Sequence, residues 1–235
     1  MAALNDGTAV VSGSAHFADT ISLASKTTSG ADRVGVLLVG WESGAGVISG
    51  IPTWNGANMT HVFTQTNDLV QVSHAAVYVI AAPPTAGSTV VVNFTDGVRG
   101  GACAVSFNGV DQATMIRSGS TVGLESDAGG TQSVTVNATA GDMAVDSTIV
   151  NSPAANTVGG GQTQIFNVES TAGGEFWAAG SYEAISGSSV VMSWDSTDDA
   201  FAIAAVALQA AAAGGLYNQI PTIYRYMRRT MRLLG

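Results

Sequence analysis

One stretch of this chain is written twice, and the repetition narrows the folds open to it. Ser88-Thr89-Val90-Val91-Val92-Asn93-Phe94-Thr95-Asp96 returns a hundred residues later as Ser188-Ser189-Val190-Val191-Met192-Ser193-Trp194-Asp195-Ser196. In each copy an apolar run of small residues follows. The first is Gly101-Ala102-Cys103-Ala104-Val105-Ser106-Phe107 and the second Phe201-Ala202-Ile203-Ala204-Ala205-Val206-Ala207. β-Branched and aromatic residues favour a pleated, half-buried backbone, and Asp, Gly, Ser and Thr favour turns. Each copy therefore reads as strand, polar turn and strand, a hairpin.

The rest of the chain falls into the same two passes. Thr20 to Ser25 alternates with period two, as a half-buried strand does, and Arg33 to Trp41 is continuously apolar, as a central strand is. Asn55-Gly56 predicts a type I′ turn beside Trp54, with Thr60 to Thr66 as the return strand. Ser73 to Ala82 is a strand stopped by Pro83-Pro84, which cannot continue a ladder. After Arg117, Ser133 to Ala138 repeats the Thr20 strand and Gly141 to Val145 repeats the start of the Arg33 strand. Phe176 to Ile185 repeats the Ala75 strand, with Tyr182 matched to Tyr78. The second pass lacks the Trp54 hairpin.

Twelve to fifteen short strands at ~8–12-residue spacing, with no helical period before residue 212, predict an all-β fold. The architecture is an antiparallel β-sandwich or jelly roll made of two pseudo-repeated halves, about 8–112 and 113–212. The pattern leaves open one large sandwich or two small ones. A join at Gln112 to Ser120 without linker composition favours a single module over residues 1–212.

Composition agrees with this reading and excludes others. Charged residues make up only 11% of the chain, under half of the ~25% usual for soluble domains. With 29 glycines, that suits close-packed sheets and many turns. The single cysteine, Cys103, lies in an apolar strand and reads as a small buried hydrophobe; a disulfide within the chain is excluded. Met1 to Gly7 has neither the basic nor the apolar region of a secretory signal. No stretch reaches the ~20 apolar residues of a membrane span. The expectation is a chain made in the cytoplasm of a host.

Asp32-Arg33-Val34-Gly35-Val36-Leu37-Leu38-Val39, Ala104 to Gln112, Gly141-Asp142-Met143-Ala144-Val145 and Gly160-Gly161-Gln162-Thr163-Gln164 together resemble an uncharacterised β-sandwich module of bacteriophage virion proteins and bacterial surface proteins. The resemblance covers about residues 8–212 and rests on turns and core strands. It implies a fold and a setting, and no chemistry.

The residues that carry chemistry elsewhere form no constellation in this sequence. His16, His61 and His74 lack metal-binding spacing. No Gly-x-Ser-x-Gly elbow is present in a strand-to-helix context. Asp195-Ser196-Thr197-Asp198-Asp199 has the oxygen ligands a calcium loop uses, but Asp is equally the ordinary turn residue. Trp54, beside its turn, is the tryptophan expected to be exposed and the candidate for stacking on a sugar. The reading assigns no catalytic residue, no metal and no cofactor.

The sharper signal is the end of the chain. All 17 acidic residues precede Ala213, opposed there only by Lys26, Arg33, Arg99 and Arg117, a net of −13. Residues 213–235 carry four arginines and no acid. After the Gly214-Gly215 hinge and an extended stretch to Pro221, a helix over Thr222 to Leu234 places Ile223, Tyr226 or Met227, Thr230 and Leu233 or Leu234 on one face. Tyr217, Ile220, Ile223, Tyr224, Arg225, Tyr226, Arg228, Arg229, Arg232 and Leu233 are the expected partner-binding residues, since aromatic and Arg-rich segments are enriched at interfaces. Nucleic acid is a poor partner for so acidic a body. The expected function is a non-enzymatic virion structural protein, such as a capsid decoration, head-fibre or tail component. Its basic tail would anchor it to other virion proteins or to copies of itself. The alternative is a surface carbohydrate-binding or adhesion module with a glycan ligand.

Overall fold

A computed structural model describes residues 2–6, 9–11, 15–42, 46–68, 72–127, 129–152, 154–169, 176–196 and 200–212, with the backbone alone for 15–18 and 25. Its first half contains β1 (Leu4–Asn5), β2 (Val10–Val11), β3 (Ala15–Lys26), β4 (Val34–Glu42), β5 (Thr53–Trp54), β6 (Ala57–Asn58), β7 (Thr60–Asn67), β8 (Ser73–Ala81) and β9 (Ser88–Asn108). The second contains β10 (Val122–Ser126), β11 (Gly130–Asn137), β12 (Met143–Asn151), β13 (Thr157–Val158), β14 (Thr163–Glu169), β15 (Phe176–Ala184), β16 (Ser189–Ser196) and β17 (Phe201–Leu208). No helix occurs among the described residues.

The pairings are antiparallel and follow one plan twice. In the first half β9 is the hinge of a curled sheet ordered β6-β5-β9-β4-β8-β7, with β1, β2 and β3 also on β9. The early part of β9 pairs with β3 and β5; from Arg99 onward it pairs with β4. In the second half the same roles fall to two separate sheets, β10-β17-β12-β15-β14 and β11-β16-β13.

Three cores alternate with four layers. Ile21, Leu23, Trp54, Val90, Val92 and Tyr78 belong to the core between the two limbs of the curled sheet. Val136, Met192, Trp194, Phe201 and Ile203 belong to the matching core of the second half. Between the halves, Val36 and Leu38 of β4, Val77 of β8 and Val105 of β9 share a core with Val145 of β12 and Val206 of β17. The inner strands are thus covered on both faces. This explains why Arg33 to Trp41 and Phe201 to Leu208 are apolar without alternation, whereas β3 and β11 alternate beside solvent.

Glycine sets how closely the halves approach. A Cβ at Gly40 would lie 2.7 Å from the Thr148 carbonyl oxygen, and one at Gly101 2.4 Å from Val168 Cγ2 across the seam.

Two expectations are corrected. Ser88 to Val110 is no hairpin: β9 runs unbroken through Asp96-Gly97, and β16 and β17 lie in different sheets. The reason is in its burial, which alternates up to Asp96 with one face to solvent and is nearly continuous from Val98 to Phe107. The strand passes from an outer layer to an inner one, so its polar middle is a bend. Likewise, the return strand of the Trp54 turn is β6, with Asn55 and Gly56 at φ 51° and 78° as a type I′ turn needs. β7 leaves to pair with β8.

Candidate functional site

The partner-binding residues expected from the sequence, Tyr217 through Leu233, lie outside the described residues, as do Thr197, Asp198 and Asp199 of the acidic loop. The structure instead defines the place from which the tail departs. Gly109 accepts from Ala211 N at 2.8 Å, Gly141 accepts from Ala3 N at 2.9 Å, and Val110 bridges to Ala210. Both ends of the described chain are therefore fastened at one end of the sandwich.

Asp142 is the centre of that fastening. Its carboxylate takes both Arg117 Nε and an Arg117 terminal amine at 2.8 Å, together with Thr139 N and Ala210 N at 2.9 Å. Burial works against the charged form. The hydrogen bonds from Arg117, Ala210 and Thr139 and the guanidinium charge outweigh it, and the pKa falls below the ordinary value. Arg117 belongs to the connection between the halves and Ala210 to the last described stretch. One carboxylate thus ties the join to the tail's point of exit. A cleft of about 370 Å³ opens between the first-half residues Asn5 and Ala9 and the second-half residues Thr163, Gln164, Ile165 and Tyr182.

The opposite end is built of loops and is acidic. Glu42, Asp68, Asp127, Glu169 and Asp195 lie at or beyond strand ends there, and Asp96 lies at the bend within β9. Placement follows from the register: Glu42 pairs with Ser73 and Arg99, Asn67 reaches Ser126 O and Phe201 O, and Glu169 pairs with Trp177. Arg99 is the base of this end among the described residues. It is bound to Glu42 at 2.8 Å and its guanidinium lies 4.5 Å from the Phe176 ring centre. Asp195 accepts from Thr131 Oγ1 at 3.3 Å. No cluster of three or more His, Cys, Asp or Glu residues suited to a metal ion occurs among the described residues.

Trp54, expected at the surface, is fully buried. It is therefore no sugar platform: β5 pairs it with Val90 and turns its ring into the core of the curled sheet. Trp41 stacks on His74 with ring centres 4.6 Å apart; Trp41 is buried and His74 half-buried, and that burial lowers the His74 pKa. Cys103 is buried and its thiol is pushed up to about 12, so it is chemically quiet.

Two buried polar groups escaped the sequence reading. Asp146 has no exposed surface, yet its carboxylate takes Ser181 N at 2.7 Å, Ser181 Oγ at 2.9 Å, Trp194 Nε1 at 3.0 Å and Gln162 Nε2 at 3.2 Å. Burial pushes its pKa up to about 7, against the pull of the Ser181 and Trp194 donors. The signal was the run Asp146-Ser147-Thr148 inside a strand that is otherwise apolar. The second group is the pair Lys26 and Asp6, with side chains 2% and 0% exposed.

No family model matches the chain, and neither a curated protein nor a solved structure matches it. No helix among the described residues is long and apolar enough to cross a membrane.

Proposed function

We propose that this chain is a non-enzymatic structural protein of a virion, a capsid decoration, head-fibre or tail component. Residues 213–235 hold it to other virion proteins or to neighbouring copies. The observation that carries the reading is the polarity of the body. The described chain ends beside Gly109 and Asp142, and the carboxylates of Glu42, Asp68, Asp96, Asp127, Glu169 and Asp195 gather at the other end. The chemistry of a cationic, aromatic tail suits an acidic or aromatic-lined partner, while a field of like charge keeps the far end solvated and apart from its neighbours. The sugar-stacking residue of the alternative, a surface carbohydrate-binding or adhesion module, was Trp54, and Trp54 is buried.

Arg225, Arg228, Arg229 and Arg232 changed together to Glu in the full chain test the reading. The variant is expected to keep its folded strand signature and melting temperature and to be lost from assembled particles. Normal incorporation would overturn the attachment.

A further inference from the structure

A lysine and an aspartate are sealed together under the N-terminal arm. Lys26 ends β3 and Asp6 directly follows β1, and Lys26 Nζ lies 3.8 Å from Asp6 Oδ1. The carboxyl group is held from two further sides. Ser29 N donates to Oδ2 at 2.8 Å, and Ser106 Oγ, on an inner strand, donates to Oδ1 in a short contact. The Asp6 backbone is fixed as well, its N–H donating to Ser106 O at 3.1 Å. Two opposite charges in so dry a place carry a large desolvation penalty, and transfer of one proton between them removes both charges. The neutral pair is an amine facing a carboxylic acid, with water excluded and the reacting groups held by the fold. Burial also lowers the Lys26 pKa, against the nearby Asp6 charge, which favours the nucleophilic amine.

We propose that Lys26 Nζ and Asp6 Cγ form an intramolecular amide cross-link in the folded chain. Lys26 nitrogen adds to Cγ, and the Cγ–Oδ1 bond breaks. Oδ1 leaves as water, carrying two of the three protons that the ammonium group held, and nothing is oxidised or reduced. Ser29 N–H stabilises the charge that develops on Oδ2, which becomes the amide oxygen, and Ser106 orients the oxygen that departs. The product ties the N-terminal arm to β3 covalently. It is independent of what the tail binds.

Intact-mass measurement of the purified full chain tests it. The native protein is expected to be lighter than its sequence by one water, and fragmentation is expected to yield a branched peptide joining Asp6 to Lys26. Lys26→Arg is expected to restore the full mass. Asp6→Asn is expected to lose ammonia instead and to reach the same final mass as the cross-linked native chain. A folded native chain at its full sequence mass overturns the proposal. So does a water loss that survives in Lys26→Arg, because Asp6-Gly7 can close on itself as a succinimide.

Discussion

In the first half, the space between the two limbs of the curled sheet is filled by Trp54, brought in from the short β5–β6 turn. In the second half the corresponding space is filled by Trp194, which comes from β16 itself. The strands facing them differ in kind. Leu37 of β4 lies opposite Ala104 and Tyr78, and the Trp54 indole N–H has no hydrogen-bond partner among the described residues. Asp146 of β12 stands in the matching place, opposite Ala205 and Ser181, and takes the Trp194 N–H. One topology therefore tolerates either a fully apolar filling or a polar network. The network requires every donor to be met, since a buried donor left alone costs ~1–3 kcal/mol.

The largest effect expected is on that network. Asp146→Leu, which writes the first half's residue into the second, strands the donors of Ser181, Gln162 and Trp194. It should cost at least about 3 kcal/mol in denaturant unfolding. Adding Ser181→Ala and Trp194→Phe to the same chain removes two of the stranded donors, the Ser181 hydroxyl and the Trp194 indole N–H, and the triple variant should lose less than the sum of the single changes. Trp→Phe in both halves sharpens the contrast. The two changes remove the same volume, so Trp194→Phe should exceed Trp54→Phe by the hydrogen bond alone, ~1–3 kcal/mol.

The seam between the halves comes next. Gly101→Ala places a methyl group 2.4 Å from Val168 Cγ2 and 3.1 Å from Ala178 Cβ, with both halves already in contact. Overpacking of this kind costs ~1–3 kcal/mol. Gly56→Ala adds a Cβ with nothing within 4 Å, and its cost comes only from the left-handed backbone at φ 78°. A Gly101→Ala protein as stable as native would mean that the halves slide apart readily, and the shared core would then be softer than its burial implies.

Much of this architecture was readable in advance. The period-two alternation of Thr20 to Ser25, the apolar run of Val34 to Trp41 and the Asn55-Gly56 turn each carry a local signal with one structural meaning, and each strand or turn is present. What was unreadable depended on partners distant in sequence. A polar break between two strands looks the same whether the chain reverses or passes to another layer, so Ser88 to Val110 carries the pattern of a hairpin. Tyr182 was matched to Tyr78 by type, but register places Ser181 in the position of Tyr78. Tyr182 faces the core between the halves and meets Phe107 at 5.7 Å. Trp54 was read from its turn as exposed, because the core it enters is made by β3 and β9. Asp146 is marked only by the apolar strand around it, and the Lys26–Asp6 pair carries no local mark of burial, since the partners of both come from segments far along the chain.

Stability against pH separates the halves more gently. The Asp146 carboxyl, at about 7 in the folded chain and 3.8 as its ordinary value, holds a proton in the folded state between those values that the unfolded chain has lost. Its contribution therefore falls as pH rises from about 4 to 7, by at most about 1.4 kcal/mol per pH unit. Asp142 acts with the opposite sign: its folded pKa is lowered, so the stability it adds is lost as pH falls below 3.8. Melting temperature followed across pH 4 to 7 should decline, and Asp146→Asn should flatten the decline whatever it does to the mean. A decline untouched in Asp146→Asn would assign it elsewhere.

The smallest effect expected is at Arg99, where the first half reaches over to the second. Its guanidinium binds Glu42 of its own half and covers Phe176 of the other, and it is partly open to solvent. An exposed ion pair contributes ~0–1 kcal/mol, and a partly solvated cation over the buried Phe176 ring adds ~0.5–1 kcal/mol. Arg99→Lys keeps the charge, gives up the flat face that stacks on the ring, and should cost under about 1 kcal/mol. Arg99→Lys made in Phe176→Leu should cost less than in the native chain, because the ring it would miss is already gone. Equal costs in both backgrounds would mean that Arg99 serves only Glu42, and the polar tie across the two halves at the acidic end would then fall to Asn67, which reaches Ser126 O and Phe201 O.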